Sequence, residues 1–123
     1  MVETNLKQQS TWHMPNITGY HSHVYYDNES FELAKALCLK AKTVFPDLEI
    51  GRMHKKPVGP HPDWSCQLSY LPNALDQVLP WLAVNRKGLT IFTHPITGDA
   101  LRDHRDYAIW MGSIRPLNLK IFY

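Results

Sequence analysis

Residues 17–46 read ITGYHSHVYYDNESFELAKALCLKAKTVFP, and the hydrophobic period changes in the middle of this stretch. Residues 17–27 are rich in aromatic and β-branched types and predict a strand. The apolar residues that follow recur at helical spacing as far as Val44, and Pro46 ends the predicted helix. The stretch therefore predicts a strand that leads directly into an amphipathic helix.

The same change of period occurs again farther along the chain. The predicted elements are a strand over residues 48–54, a strand over residues 64–70, a helix over residues 72–87 and a strand over residues 89–93. Between the first two, residues 55–63 contain three prolines and predict a stiff extended loop. The order β-α-β-β-α-β is the ferredoxin-like pattern, so we predict an α+β, ferredoxin-like βαββαβ sandwich with an antiparallel sheet.

The two ends of the chain lie outside this pattern. Residues 1–16 are polar and lack periodicity, so we expect a flexible N-terminal arm there and a single domain over residues 17–123. A short C-terminal extension follows the βαββαβ unit, and residues 107–111 predict a further strand in it. The alternating apolar residues of the tail are Leu117, Leu119 and Ile121. This alternation predicts an edge strand or a contact with a partner.

The composition is that of an ordinary folded domain. Hydrophobic residues make up 44% of the 123 residues, and 13 basic against 11 acidic residues leave a net charge of +2. The chain has no basic run, which argues against a nucleic-acid partner. No apolar stretch approaches the roughly 20 residues that span a bilayer, so we expect no membrane association and a cytoplasmic location. Cys38 and Cys66 are isolated and are expected to be reduced core residues.

The alternation of the strands places histidines on one face of the predicted sheet. His21 and His23 are two residues apart, so they point to the same side of the first strand. The two helices need the apolar face, which leaves these histidines on the opposite face. In the usual strand order 4-1-3-2 the first strand lies antiparallel to the fourth, so His94 approaches both. We therefore expect three converging imidazoles, and the alternative is a polar face that is merely solvated.

Further candidates surround this group. Imidazole titrates near neutrality and is a common metal ligand, so its clustering predicts a metal or acid–base site. His61 lies in the proline-stiffened loop, where it could close over the site, act as an acid–base group or only cap a turn. His104 has a weaker case and could lie on the surface. Tyr25 and Phe92 share the histidine face, which indicates that another group buries that face.

Three stretches of the chain resemble blocks of a known family. They are YHSHVYYD (residues 20–27), FPDLEIGRMHKKPVGPHPDWSCQLSY (residues 45–70) and LTIFTHPITGDALRDHRDYAIWMG (residues 89–112). Together and in this order they resemble the DOPA 4,5-dioxygenase family of small aromatic-ring-cleaving dioxygenases. The resemblance implies an extradiol dioxygenase that cleaves a catechol such as DOPA with non-haem Fe(II) and O₂. It also allows zinc or another divalent metal in a purified sample.

The resemblance implies a set of metal ligands. Iron of this kind usually has two histidines and one carboxylate, with open positions for substrate and O₂. Strand alternation and register supply His21, His23 and His94 as expected ligands, and the carboxylate is unsettled, with Glu49 on the sheet as a candidate. Asp99 and Asp103 are alternative carboxylates, although aspartate at such positions more often ends a turn or caps a helix.

The resemblance also implies residues that act on the substrate. A catechol loses a proton on binding and a proton returns later in the reaction, which suits the histidines His61 and His104 as acid–base groups. The expected substrate contacts are Tyr25, Arg52 and Arg102. A guanidinium suits the carboxylate of DOPA, and Arg105 is also available for that role. An isolated arginine is otherwise a solvated surface charge.

The sequence also predicts a homodimer, because the histidine face and the apolar tail would otherwise leave hydrophobic surface in water. Two other classes of function remain open. The first is a non-catalytic module that binds a metal or a small aromatic compound. The second is an interaction protein whose histidine face is a dimer interface. Within enzymes, a monooxygenase on a dimeric α+β barrel is a further alternative.

Overall fold

The structure is a computed structural model that describes residues 12–123. Within these residues, five antiparallel strands form one sheet in the order β2-β3-β1-β4-β5. The strands are β1 (Gly19–Tyr26), β2 (Glu49–Ile50), β3 (Trp64–Tyr70), β4 (Ile91–Ile96) and β5 (Ile109–Met111). The helices are α1 (Phe31–Val44), α2 (Leu75–Asn85) and α3 (Ala100–Arg105). The predicted βαββαβ order and strand order 4-1-3-2 are confirmed, and β5 adds a strand beside β4.

Helices α1 and α2 cover one face of the sheet, and the hydrophobic core lies between them and the strands. The core side chains from the helices are Ala34, Leu37, Cys38, Ala41, Val78 and Leu82, and those from the strands are Val24, Tyr26, Cys66, Leu68, Tyr70 and Ile91. These strand residues are the ones that the alternation along the sequence assigned to the face covered by the helices. Cys38 and Cys66 are buried free thiols, as expected. Because strand side chains alternate, the residues of the other parity are left to form a second surface.

The ends of α1 follow local chemistry. The turn before it is closed by Asp27, whose Oδ1 accepts the backbone N–H of Ser30 at 2.9 Å, while Oγ of Ser30 accepts the N–H of Asp27 at 3.0 Å. The helix ends at Val44 and Pro46 follows two residues later, as the sequence predicted.

Strand β2 is shorter than predicted, with two regular residues in place of residues 48–54. The backbone N–H of Gly51 still donates to Gln67 at 2.7 Å, and that of His54 donates to Ser65 at 3.1 Å. Between these two bonds, two residues (Arg52 and Met53) oppose one (Cys66), which breaks the ladder in the manner of a bulge.

The region after β4 corrects two expectations. Residues 100–105 form α3, a helix that is absent from the elements predicted from the sequence. The tail does not form an edge strand, because β5 already pairs with β4 and residues Leu119–Phe122 form a 3₁₀ turn. The Oδ1 atom of Asn118 accepts the N–H of Lys120 at 3.3 Å and starts that turn. The expected contact of the tail with a partner stays a prediction.

The predicted arm, residues 1–16, lies mostly outside the described residues. Residues 12–16 form no helix or strand, and Trp12 and Met14 are exposed. Among residues 12–123, no helix combines the length and apolar character needed to cross a bilayer.

Candidate metal centre

Three histidines converge on the face of the sheet that α1 and α2 leave uncovered. His21 and His94 are directly opposite each other in the pairing of β1 with β4, and His23 follows two residues along β1. One ring nitrogen of each lies within 4.8 Å of the others, and Nε2 of His23 is 3.1 Å from Nε2 of His94. The convergence expected from strand parity and register is therefore present.

The backbone decides which nitrogen of His94 is available to a ligand. Its Nδ1 lies 2.8 Å from the carbonyl oxygen of Pro95, and a carbonyl only accepts, so Nδ1 carries the proton and donates it. Nε2 then has a free lone pair and points toward His23. Metal-binding histidines are commonly oriented in this way by a hydrogen bond to the other ring nitrogen.

The geometry of the group fits a divalent metal ion. Two imidazole nitrogens bound to one metal at about 2.1 Å are separated by about 3.0 Å at a right angle and about 3.4 Å at a tetrahedral angle. The observed 3.1 Å between His23 and His94 falls in this range. Neutral imidazoles suit zinc, copper, iron and nickel, so the donor set alone favours a transition metal without choosing among these.

Electrostatics keep these imidazoles in the form that binds metals. Burial lowers the pKa of His94 to about 3, and the neighbouring histidines add to the effect. Burial likewise lowers the pKa of His23 well below its usual value, and repulsion from His61 and His94 lowers it further. Burial is also the main reason why the pKa of the half-buried His21 is lowered. Near neutral pH the three rings are therefore uncharged and keep a lone pair.

His61 joins this group from the proline-rich loop before β3. The left-handed conformation of Gly59 (φ 57°) turns the chain, and the N–H of His61 donates to the carbonyl of Val58 at 3.1 Å. The His61 ring lies 4.1 Å from the His23 ring, measured between centroids, and its Nδ1 is 2.7 Å from the hydroxyl of Tyr25. His61 is only 8% exposed, and burial lowers its pKa to about 4. The sequence left three roles open for His61, and its position beside the His23 ring favours the first, in which it closes over the group.

His104 joins the group from the opposite side. It lies on α3, its ring centroid is 4.1 Å from that of His94, and its Nδ1 donates to the carbonyl of Ala100 at 2.7 Å. This hydrogen bond leaves Nε2 of His104 without the proton and available as a base. The ring is packed between His94 and Phe122, whose centroid is 4.5 Å away. Sequence reasoning gave His104 a weak case because it missed α3.

The aspartates near His94 have structural partners. Asp103 is 3% exposed, and its two carboxylate oxygens accept the backbone N–H of Thr97 at 2.9 Å and the Thr97 hydroxyl at 2.5 Å. Asp99 caps α3, because its Oδ1 accepts the N–H of Arg102 at 3.1 Å. Both carboxylates therefore hold α3 at the end of β4.

The other predicted site residues lie around the group rather than in it. Glu49 is exposed on β2, two strands away from β1, and the structure does not bring it together with the three histidines. Arg52 is exposed in the segment after β2. Arg102 is exposed on α3, where its Nε lies 3.7 Å from Asp99. Tyr25 is 3% exposed, and its hydroxyl is engaged with His61.

Aromatic side chains wall the site, and two of them, Trp110 and Phe122, were not predicted from the sequence. Trp110 of β5 is opposite Phe92 in the β4–β5 pairing and stacks on it, with ring centroids 4.5 Å apart. The Phe92 ring contacts both His61 and His104. The alternation of side chains along the strand predicted over residues 107–111 could have placed Trp110 on the histidine face. No local sequence signal pointed to Phe122.

The open side of the centre is at His21. Next to this residue is a cavity of about 280 Å³, with Glu49, Ser69 and Ile96 also in its lining. The amide nitrogen of Gln67 lies 3.4 Å from Nε2 of His21. Of the three histidines, His21 is the one that lines this cavity, and it is also less buried than His23 and His94.

These observations define a ferredoxin-like α+β protein with a candidate transition-metal centre in a partly closed, aromatic-walled site. Residues 20–121 match the Dopa 4,5-dioxygenase family, and the chain belongs to this family. The structure is similar to that of a Nostoc punctiforme protein provisionally described as a dioxygenase, with a TM-score of 0.74 and 40% identity over 85% of this chain and 90% of the other.

Two curated relatives come from fungi. The chain is 34% identical over 110 residues to an uncharacterised 21.2 kDa protein of Botryotinia fuckeliana, which covers 80% of this chain and 60% of that protein. It is 32% identical over 111 residues to a DOPA 4,5-dioxygenase of Amanita muscaria, which covers 84% of this chain and 49% of the relative. The chain thus spans about half to three fifths of the length of these relatives.

Proposed function

We propose that this protein is an extradiol dioxygenase that cleaves a catechol such as DOPA with Fe(II) and O₂. The observation that carries the proposal is the convergence of His21, His23 and His94, with neutral rings, beside a cavity that His21 lines. The family of the chain supports a dioxygenase reaction. The printed activity of the Amanita muscaria relative supports DOPA as the first substrate to test.

In this proposal, the three histidines hold the iron. Asp103 and Asp99 are engaged by Thr97 and α3, so we favour a ligand set without these carboxylates. Glu49 shares with His21 the lining of the 280 Å³ cavity beside the centre. When bound, Fe(II) would supply a Lewis-acidic centre and a path by which electrons pass from the catechol to O₂.

The flanking histidines would move protons. A catechol must lose a proton as it binds, and Nε2 of His104, free because Nδ1 donates to Ala100, is placed to accept it. His61 lies against His23 on the other side of the centre and would return a proton later in the reaction. We assign Tyr25 to holding the His61 ring, since its hydroxyl is already bonded to Nδ1.

For the carboxylate of a DOPA-like substrate, Arg52 and Arg102 remain the proposed contacts. Arg102 already has Asp99 and Tyr107 as neighbours, and both raise its pKa. Replacing each arginine in turn by Lys shows which of them binds the carboxylate. Replacement of the binding arginine should raise KM for DOPA and leave KM for catechol itself unchanged.

The proposal is tested by adding Fe(II) to the metal-free protein without air and then measuring O₂ uptake with a panel of catechols. We expect uptake in step with loss of the catechol, and mass spectrometry with labelled O₂ should find both oxygen atoms in a ring-opened product. Incorporation of one atom would indicate a monooxygenase. Catechol binding without O₂ uptake would indicate the non-catalytic binding module.

We also propose that the protein forms a homodimer. Tyr25 and Phe92 on the histidine face give no support for a dimer, because both side chains are buried within one chain. The support now comes from exposed apolar side chains near β5 and the tail, which are Ile109, Ile114 and Ile121. Sedimentation at micromolar concentration should give the mass of two chains, and a single-chain mass would refute the dimer.

A further inference from the structure

The segment of residues 115–122, named the strap here, crosses from the loop that carries His61 to helix α3. It begins at Arg115, whose Nε and Nη2 donate to the two carboxylate oxygens of Asp63 at 2.8 and 3.1 Å. Asp63 is two residues beyond His61, at the point where the loop enters β3. The ion pair therefore joins the strap to one end of the His61 segment.

A second bond joins the strap to the other side of His61. The backbone N–H of Asn118 donates to the carbonyl of Pro60 at 2.8 Å, and Pro60 directly precedes His61. His61 thus sits between two residues of its own loop, Pro60 and Asp63, that are both bonded to the strap. Pro60 and Pro62 limit the backbone freedom of this short piece, so fixing both ends restricts the position of the imidazole.

The far end of the strap contacts the other flanking histidine. The rings of Phe122 and His104 lie 4.5 Å apart, and the 3₁₀ turn Leu119–Phe122 packs on α3. One continuous segment therefore contacts the supports of both histidines that flank the candidate metal centre. No residue of the strap belongs to the three-histidine group itself.

We infer that Arg115 and Asp63 are positioning residues, which hold the His61 loop against the centre through the strap. The bidentate geometry matters, because the planar guanidinium fixes the orientation of the carboxylate as well as its distance. The consequence for turnover rests on the proposed function, whereas the consequence for the position of His61 does not. Loss of the pair should expose His61 and leave the three sheet histidines in place.

The test measures how fast diethyl pyrocarbonate modifies His61 in the metal-free protein, with the modified peptide quantified by mass spectrometry. The variants are Arg115→Ala, Asp63→Ala and the exchange Asp63→Arg with Arg115→Asp. An ion pair of this exposure changes a local opening equilibrium by up to about fivefold, so each single variant should label His61 about two- to fivefold faster than wild type. The exchange should restore slow labelling, and Lys40→Ala, which removes an exposed charge from α1, should not change it.

Two further measurements separate positioning from loss of structure. Zn(II) affinity, measured by competition with a chelating dye, should be unchanged in the single variants, and kcat with Fe(II) should fall and recover in the exchange. Unchanged labelling of His61 in both single variants would overturn the inference, as would a loss of Zn(II) affinity equal to that of His94→Gln. If the wild type consumes no O₂ with any catechol, the proposed function fails, but the labelling result still decides the role of the strap.

Discussion

At the scale of single residues, the chemistry of the site depends on which ring nitrogen each histidine leaves free. Nδ1 of His94 and Nδ1 of His104 both donate to backbone carbonyls, so their Nε2 atoms keep the lone pair. His94 differs from His104 in its neighbour, because its Nε2 meets that of His23 at 3.1 Å. A bound metal would replace the proton shared by this pair, which makes His23 and His94 the ligands that the geometry supports best.

We predict that His23→Gln or His94→Gln weakens metal binding strongly. Loss of an outer hydrogen-bond partner usually costs about 10–100-fold in metal affinity, and loss of a ligand should cost more than that. Competition with a chelating dye for Zn(II) measures the effect. His13→Gln is the matched control, since His13 is exposed and bonded to Tyr107. Equal affinity in the His94 and His13 variants would contradict the ligand assignment.

We predict that His61→Gln lowers turnover while metal affinity survives. General acid–base catalysis contributes about 10²–10⁴-fold, so kcat with Fe(II) and a catechol should fall by at least about 100-fold. Tyr25→Phe should give a smaller fall, because it removes only the hydroxyl that orients Nδ1 of His61. If His61→Gln loses the metal instead, His61 is a ligand and the roles of the histidines must be exchanged.

At the scale of the elements, the position of His104 depends on how α3 is attached to β4. The six-residue helix is too short to be stable alone and is held by Asp99 at its first turn and by Asp103 against Thr97. Gly98 has φ 93° in the turn between β4 and α3, a conformation that favours glycine. The turn and the two aspartates together place His104 against His94.

We predict that Asp103→Ala destabilises the protein by about 2–3 kcal/mol, because hydrogen bonds to a charged group are worth about 1.5–3 kcal/mol and the variant loses two that act together. The midpoint of urea unfolding, measured in the metal-free protein, reports the change. Asp106→Ala is the control, since Asp106 forms an exposed ion pair with Arg105 and should cost less than about 1 kcal/mol. Similar losses in the two variants would argue against the anchoring role of Asp103.

At the scale of the whole molecule, the buried histidines should make the stability of the metal-free fold depend on pH. The pKa of His61 is lowered to about 4 and that of His94 to about 3, whereas both are near 6.5 in the unfolded chain. Below pH 6.5 the unfolded chain therefore binds protons that the folded chain does not. The free energy of unfolding should be constant above that pH and should fall as pH drops from 6.5 toward 4.

Each such histidine contributes at most about 1.4 kcal/mol per pH unit. We therefore predict that the urea midpoint of the metal-free protein is lower at pH 5 than at pH 7.5. The slope should flatten in His61→Gln, which removes one of the protonating groups, and should not change in His13→Gln. Identical midpoints at the two pH values would show that the buried rings do not resist protonation.

The sequence by itself determined the arrangement of the sheet and the faces of its strands. Strand parity is a local property, because successive side chains alternate whatever the strand packs against. It placed His21 and His23 on one face, and the βαββαβ order then brought His94 opposite His21 and close to His23. The order of the motifs also indicated the family before any geometry was known. These results depend on period and topology, and both can be read from neighbouring residues.

Only the tertiary structure decided how the site is closed. Asp63 and Arg115 are 52 residues apart, and no periodicity relates them. The same holds for the contact of His61 with His23 and for that of Phe122 with His104. Helix α3 was missed because its six residues carry too little periodicity to separate it from a charged loop. Such contacts depend on how loops pack on a completed sheet, so they follow from the three-dimensional fold and not from local pattern.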